Sequence, residues 1–301
     1  MMSLTPSLSE LLWSEIKSGR TKVACDIAKV ISISSVGTLP ASALRFSRLR
    51  QVQVLAQHLV EEQRQPTDRE EAIVRDFISQ EGHGAADEVA TTDEKSCLMI
   101  ADRRNLAPVL IPFRLYEPTF GASTTIGRAL ALVERWPAWE SLRRHLGQII
   151  VLSPPDGEDT ESKSYTLTMT PCVIYMNAAG SLQEIAETIV HESAHNQLNE
   201  LLSLTPPLRL NSKWFSPWKK TYRPAFGILH ACYAFSQVSM FLRWLGEVGV
   251  GDWVEDVRRR RLAEHSRLAT VRAAFLAACE QIENAGLREW LTTNFESEAA
   301  T

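Results

Sequence analysis

The order of hydrophobic and polar residues divides the chain into a helical first third, a short run of strands and a helical remainder. Apolar residues recur at helical spacing over 7–19, 40–65 and 67–80, and the polar stretch 81–96 predicts a loop. Two further short helices are predicted over 125–136 and 138–147, with a break at Pro137.

The middle of the chain is rich in β-branched and aromatic residues. The segments QIIVLSP (148–154), SYTLTMT (164–170) and CVIYMN (172–177) predict three strands. Because their connections are short, we expect a small antiparallel sheet. The fold class expected is α+β and mostly α-helical, with this sheet beside the helix that follows. We divide the chain into a helical N-terminal region, 1–145, and a catalytic region, 146–301, within one continuous domain.

A long helix is predicted over 181–203. Ser181 and Glu184 have the spacing of a capping box, and Pro206 and Pro207 end the pattern. A loop rich in proline and tryptophan is expected next, over 205–224. An apolar helix is then predicted from Ala225 onward, and the last fifty residues are again helical in pattern.

The helix over 181–203 contains the motif H-E-x-x-H, formed by His191, Glu192 and His195. Histidines four residues apart lie on one face of a helix, so both imidazoles can reach a single metal ion. The glutamate of such a motif is the general base in zinc peptidases. A chance match is the alternative, but the position within a capped helix favours a metal site.

A third ligand is required, and His230 is the best candidate. It lies 35 residues beyond His195 within an apolar helix, where a buried histidine needs a polar partner. A core histidine bonded to a backbone carbonyl is the alternative. Glu247 and Glu255 are the glutamates that a peptidase would use instead. We interpret His58, His145 and His265 as surface positions, and His83 as a loop residue.

Composition excludes several classes of protein. The sequence of 301 residues is 45% hydrophobic and 23% charged, with a net charge of −4 and a pI of about 6.0. This balance predicts neither nucleic-acid nor membrane binding. Five scattered cysteines indicate buried thiols in a reducing compartment. Without a predicted signal peptide or transmembrane helix, we expect a cytoplasmic protein.

The segments VHESAHNQLNELLSL and SPWKKTYRPAFGILHACYAF resemble the H-E-x-x-H family of 2-oxoglutarate-dependent peptide β-hydroxylases, which modify ribosomally made peptides. The resemblance lies in the motif, the pair Pro217-Trp218, the pair Arg223-Pro224 and the histidine that follows at position 230. It covers roughly residues 170–245. One departure is Ala231, where the family pattern has glycine.

The resemblance implies an Fe(II)- and 2-oxoglutarate-dependent dioxygenase acting on a precursor peptide. Its metal ligands would be His191, His195 and His230, with Glu192 orienting a ligand or water, or binding the metal itself. Arg223 would bind the distal carboxylate of 2-oxoglutarate, with Lys219 and Lys220 as less favoured alternatives. Three histidines also suit zinc, so a zinc metallopeptidase with Glu192 as general base is the second hypothesis, and a catalytically silent peptide-binding protein is the third.

Three other features have a structural and a functional interpretation. The strand 172–177 could offer its edge to an extended peptide. The four arginines at 258–261 would form a solvated helix face or bind an acidic leader peptide. Four aromatic residues of the 205–224 loop would line a peptide groove or pack on the core: Trp214, Phe215, Trp218 and Tyr222.

Overall fold

The computed structural model describes residues 90–93, 97–101, 108–112, 122–152, 162–167, 172–208, 212–249 and 253–299. Within them are six helices: α1 (Ala122–Val133), α2 (Trp139–Arg143), α3 (Leu182–Leu202), α4 (Ala225–Val248), α5 (Val254–Cys279) and α6 (Ala285–Ala299). There are also eight strands: β1 (Ala90–Asp93), β2 (Cys97–Ala101), β3 (Pro108–Pro112), β4 (Gln148–Val151), β5 (Ser164–Tyr165), β6 (Val173–Met176), β7 (Lys213–Ser216) and β8 (Thr221–Pro224).

Most of the elements predicted between residues 122 and 299 are confirmed. The helices broken at Pro137, the three strands before α3, and the helices α3 to α6 all form. The mostly helical α+β class is therefore confirmed for the described part of the chain. The helices expected over 7–19, 40–65 and 67–80 lie outside the described residues, as do His58 and His83.

The described residues belong to two compact units. The helical unit comprises residues 130–142 and 186–299, and the sheet unit comprises 90–129 and 143–185, each without its undescribed residues. The candidate histidines all lie in the helical unit.

The expectation of an antiparallel sheet is wrong. Four strands of the sheet unit pair in the order β1-β4-β6-β5, and β6 is parallel to β4 but antiparallel to β5. The chain reaches β5 before β6, yet β6 enters between β4 and β5. The short connections between the strands suggested that strands consecutive in the chain would pair in that order. A short connection does not, however, prevent a later strand from taking the central position of the sheet.

The central position of β6 closes part of the edge that an extended peptide would use. Val173, Ile174, Tyr175 and Met176 are all buried and pair with β4, but only Tyr175 and Met176 also pair with β5. Tyr175 stacks on Tyr165 of β5 with ring centroids 4.9 Å apart. Strand addition is therefore excluded at Tyr175 and Met176, where β5 occupies the edge, and at Val173 and Ile174 it stays a prediction.

Two expected loops contain strands. β1 lies within 81–96, and the stretch 205–224 contains the antiparallel hairpin of β7 and β8. In the hairpin, Trp214 is opposite Arg223 and Phe215 is opposite Tyr222. The alternation of large and polar residues in both segments fits paired strands, although proline and lysine between them favoured a loop.

The core of the helical unit lies along α4. Fourteen of the 24 residues of α4 are buried, and Gly249 ends the helix in the left-handed conformation, with φ of 62°. By length and composition α4 could cross a membrane, but 72% of its most apolar window is buried inside the protein, as in the core helix of a soluble domain. Phe275 of α5 stacks on Phe295 of α6 with centroids 4.2 Å apart.

Helix α3 begins at the predicted capping box. The Glu184 carboxylate accepts from the Ser181 backbone N–H at 2.8 Å, and the Ser181 hydroxyl accepts from the Glu184 N–H at 3.2 Å. These bonds satisfy two backbone donors that a helix start otherwise leaves to solvent. They set the first turn of the helix that carries the H-E-x-x-H motif.

Replacing Ser181 with alanine should lower the free energy of unfolding by about 1 kcal/mol, because one helix N–H loses its acceptor. Urea unfolding followed by circular dichroism measures the change. Thr270→Ala is the control, since the exposed Thr270 hydroxyl bonds a carbonyl within α5 and caps no helix. An equal loss in both variants would contradict a specific role for the cap.

Candidate metal centre

His191 and His195 lie one turn apart on α3 with their rings nearly perpendicular. Their Nε2 atoms are 3.0 Å apart, and the ring centroids are 4.5 Å apart. Two nitrogen ligands that bind one ion at about 2.0–2.1 Å and nearly at right angles are themselves about 3 Å apart. The pair therefore has a spacing that suits two ligands of one metal ion.

His230 of α4 reaches the same cluster. Its Nδ1 is 2.9 Å from Nδ1 of His195, and the two ring centroids are 5.1 Å apart. The side chain is buried, and its Nε2 has no hydrogen-bond partner among the described residues. The structure thus brings together the three histidines that were singled out in the sequence, and it leaves a buried ring nitrogen of His230 available.

The three rings form a chain with His195 in the middle. His191 faces Nε2 of His195, and His230 faces Nδ1. One imidazole cannot use both nitrogens for a single ion, so a shared ion requires rotation of the His195 or His230 ring. In this orientation, no set of three His, Cys, Asp or Glu side chains in the described part of the chain is placed to hold a metal. Ligation by all three histidines stays a prediction.

All three histidines are held in the neutral form. Burial and then the charge of Lys219 lower the pKa of His191 to about 4. Burial lowers the pKa of His230 to about 3, with a smaller effect of His191, and burial followed by both neighbouring histidines and Lys219 lowers the pKa of His195 well below its usual value. A neutral imidazole keeps the lone pair that a metal ion needs.

Aromatic side chains cover the histidines. The Phe235 ring lies 4.7 Å from that of His191, and the Trp218 ring stacks on Phe235 at 4.7 Å with an interplanar angle of 2°. On the other side, the Phe226 ring is 4.1 Å from that of His230. This apolar cover explains why a histidine cluster on two helices is desolvated.

The turn between β7 and β8 is fixed over this cover. Trp218, in the turn, donates from Nε1 to a carboxylate oxygen of Glu264 on α5 at 2.7 Å. The next residue, Lys219, is exposed, and its charge lowers the pKa of His191 and His195. The hairpin therefore brings one cation to the histidines.

Arg223, the predicted cofactor cation, has a different environment. It is exposed on β8, and its guanidinium lies against Gly227, where an added Cβ would be 2.9 Å from the arginine Nε. It is not among the charges that shift the pKa of the three histidines. The role of Arg223 in binding 2-oxoglutarate stays a prediction.

Glu192 is buried on α3, next to His191. This position is compatible with a base, a positioning group or a ligand, and all three roles stay predictions.

Glu247 lies 17 residues beyond His230 on the same helix, which is about 25 Å along the axis. It cannot share an ion with His230, and both it and Glu255 are exposed.

A buried polar link between the two histidine helices was missed in the sequence. The Tyr233 hydroxyl of α4 donates to the Gln197 side-chain carbonyl of α3, and Gln197 Nε2 donates to the Ser141 carbonyl at 3.1 Å. Burial raises the pKa of Tyr233 well above its usual value. Gln197 follows His195 by two residues, and Tyr233 follows His230 by three. Their polar side chains, close to the histidines in apolar helices, could have predicted this hydrogen bond.

Several secondary interpretations are also resolved. His145, expected at the surface, is buried within the sheet unit. Arg260 pairs with the buried Glu187 at 2.6 Å and Arg259 pairs with Asp256, so two of the four arginines have partners within the protein. The aromatic residues of the hairpin divide: Trp218 packs on Phe235, whereas Phe215 and Tyr222 are 48% and 66% exposed and contact each other edge to face.

Comparison with models of known protein families finds none that matches the chain, and comparison with curated protein sequences finds no significant match.

The first prediction for the centre concerns His230. Replacing His230 with alanine should lower the metal content of the purified protein at least severalfold, because the histidine pair alone leaves an ion held mainly by solvent. Elemental analysis of protein dialysed against a weak chelator gives the metal-to-protein ratio. His265→Ala, a partly exposed histidine of α5, should keep the wild-type ratio. Full metal occupancy in His230→Ala would exclude His230 as a ligand.

The metal-free protein should lose stability in acid. The folded-state pKa values of the histidines lie below the unfolded value of 6.5, so the unfolded chain binds more protons as the pH falls below that value. The stability present above this pH should therefore decrease by up to about 2 kcal/mol for each histidine between about pH 7 and pH 5. Urea titrations of chelator-treated protein at each pH measure it. A His230→Asn variant should show a shallower dependence on pH, and an unchanged dependence would contradict this origin.

Proposed function

We propose that the protein is an Fe(II)- and 2-oxoglutarate-dependent oxygenase that hydroxylates the β-carbon of a residue in a ribosomally made precursor peptide. The observation that carries the proposal is the convergence of the partly buried His191 and His195 of α3 with the buried His230 of α4 as neutral imidazoles. The motif resemblance supplies the reaction class. The spacing of the His191–His195 pair supports a metal ion beside these two rings.

The charges around the histidines favour an anionic cosubstrate. Three neutral imidazoles leave both positive charges of a divalent ion uncompensated, and Lys219 adds another beside them. Glu192 is the one acidic residue of the motif itself. A dianion such as 2-oxoglutarate would balance the remaining charge, because burial of uncompensated charge is strongly unfavourable.

Bound iron would supply the redox chemistry by which oxygen and 2-oxoglutarate convert a C–H bond to C–OH, with succinate and carbon dioxide as the other products. The residues of the chain would hold the ion through the histidines and limit access of water. Phe235, Trp218 and Phe226 form that apolar cover. The Tyr233–Gln197 hydrogen bond would keep α3 and α4 in register while the site is used.

A zinc metallopeptidase is the second candidate. It is favoured by Glu192, which is buried on the same helix as the histidine pair, where a general base of such enzymes lies. This reaction requires Glu192 to remove a proton from water. The oxygenase reaction does not require a base, which makes this carboxylate the most informative position for comparing the two reactions.

The test is co-expression of the protein with a precursor peptide encoded beside its gene, followed by mass spectrometry of the peptide. The proposal predicts the gain of one oxygen, dependent on iron and 2-oxoglutarate in the purified reaction. In Glu192→Gln, hydroxylation should persist within about tenfold of the wild type, whereas removal of a general base costs about 100-fold or more. Glu255→Gln, an exposed glutamate of α5, is the matched control. A cut peptide, lost in Glu192→Gln, would replace the proposal by the peptidase.

A further inference from the structure

The hairpin of β7 and β8 turns one face to solvent. Along β7, Lys213 and Phe215 are exposed, and the residues that alternate with them are partly or fully buried. Phe215 lies opposite Tyr222 of β8, and the side chains of paired residues lie on the same face of a sheet. The two rings are 48% and 66% exposed and contact each other edge to face, so an aromatic pair lies at the centre of the outward face.

Cations flank this aromatic pair at both ends of the hairpin. Lys213 precedes Phe215 by two residues on the same strand, and Lys219 and Lys220 are exposed in the turn. Residues 213–224 contain four cations and no acidic residue, in a chain whose net charge is −4. The three lysines form no salt bridge within the described part of the chain, where several arginines of α5 pair with carboxylates. The hairpin thus presents an aromatic pair between positive charges.

The hairpin is fixed next to the candidate metal centre. In its turn, Trp218 stacks on Phe235, and Phe235 packs on the His191 ring. At its other end, β8 leads directly into α4, where Phe226 is 40% exposed and its ring lies 4.1 Å from that of His230. Contacts at both ends of the hairpin therefore keep its outward face beside the histidines.

The charge and ring geometry of this face favour one kind of partner. A second copy of the hairpin would place cations against cations, which is unfavourable. A nucleic acid or an anionic membrane extends beyond the hairpin, where it would meet a protein of net negative charge. The two rings, with an interplanar angle of 72°, also form no parallel platform on which successive bases would stack. A short acidic peptide segment with an apolar side chain needs to contact the hairpin alone.

We infer that the outward face of the hairpin (Lys213, Phe215, Lys219, Lys220 and Tyr222) docks an acidic segment of the peptide substrate. An apolar side chain of the segment packs on the aromatic pair, and its glutamate or aspartate side chains lie toward the lysines. The inference rests on the proposed function for the choice of a peptide. Because an exposed ion pair contributes little by itself, recognition requires the aromatic contact and several lysines together.

The test measures binding of labelled peptides to the purified protein by fluorescence anisotropy. The probe is fluorescein-labelled Glu-Glu-Ser-Phe-Ser-Glu-Glu, in which the nearest acids stand two residues from the phenylalanine, as Lys213 stands from Phe215. One control peptide has glutamine in place of every glutamate, and another has serine in place of phenylalanine. The wild type should bind the probe at least about fivefold more tightly than either control peptide.

Two double variants test the two parts of the face. Phe215→Ser with Tyr222→Ser removes the aromatic pair, and Lys213→Gln with Lys220→Gln removes one cation at each end. Each double variant should weaken binding of the probe about fivefold or more. All four side chains are exposed, so the circular dichroism spectrum should match that of the wild type.

Matched controls lie on α5. Leu262→Ser removes an apolar side chain that is 60% exposed. Arg258→Gln with Arg261→Gln removes two positive charges from the run of four arginines. Both controls should bind the probe within about twofold of the wild type. An excess of 2-oxoglutarate should not displace the probe, because the face is separate from the proposed cosubstrate site.

The inference is overturned if the wild type does not bind the probe, if the main loss occurs in the arginine variant, or if 2-oxoglutarate displaces the probe. Phosphatidylserine vesicles and a single-stranded oligonucleotide are tested as other ligands. If one of them binds in place of the probe and the hairpin variants abolish its binding, the face belongs to a membrane or a nucleic acid instead.

The binding result is independent of turnover. If the probe binds as expected but the co-expressed precursor peptide gains no oxygen, the docking face stands and the proposed reaction fails. If the precursor is hydroxylated equally by the wild type and the aromatic double variant, and the probe does not bind, the proposed reaction stands and the docking face fails.

Discussion

The packing of three imidazoles between α3 and α4, with His230 buried and His191 and His195 partly buried, is the constraint on which the rest of the helical unit depends. A buried imidazole must be neutral, and each of its ring nitrogens needs a partner. His195 satisfies this requirement through contacts with both other histidines, so the two helices are held at a separation that lets their rings touch. The remaining nitrogen of His230 has no hydrogen-bond partner among the described residues, and a ring rotation would be needed for it to share an ion with the other two histidines.

The surrounding groups maintain that separation from both sides. The bond between Tyr233 and Gln197 joins the same two helices close to the histidines, and Gln197 continues to the Ser141 carbonyl. Each of these buried polar groups is costly without its partner, so the register of α3 against α4 is specified by several bonds together. Phe235 packs on the His191 ring and Trp218 stacks on Phe235, and such apolar neighbours strengthen electrostatic interactions within the cluster.

The hairpin of β7 and β8 packs beside this cluster and carries charged residues. Its strands are short and its turn is exposed, but Trp218 attaches the turn to both α4 and α5. Phe215 and Tyr222 lie opposite each other and are exposed, and exposure alternates along β7 as the pleat requires, whereas the first three residues of β8 are all exposed.

The sequence by itself determined the local elements and the identity of the three histidines. Capping at Ser181, the break at Pro137 and the i, i+4 spacing of His191 and His195 depend on neighbouring residues, and local backbone chemistry is enough to read them. Only the tertiary structure decided that β6 lies between β4 and β5, that His230 faces Nδ1 of His195, and that Arg223 lies against Gly227. Strand order, ring orientation and the direction of a long side chain depend on contacts between residues far apart in the chain, and local spacing carries no information about those contacts.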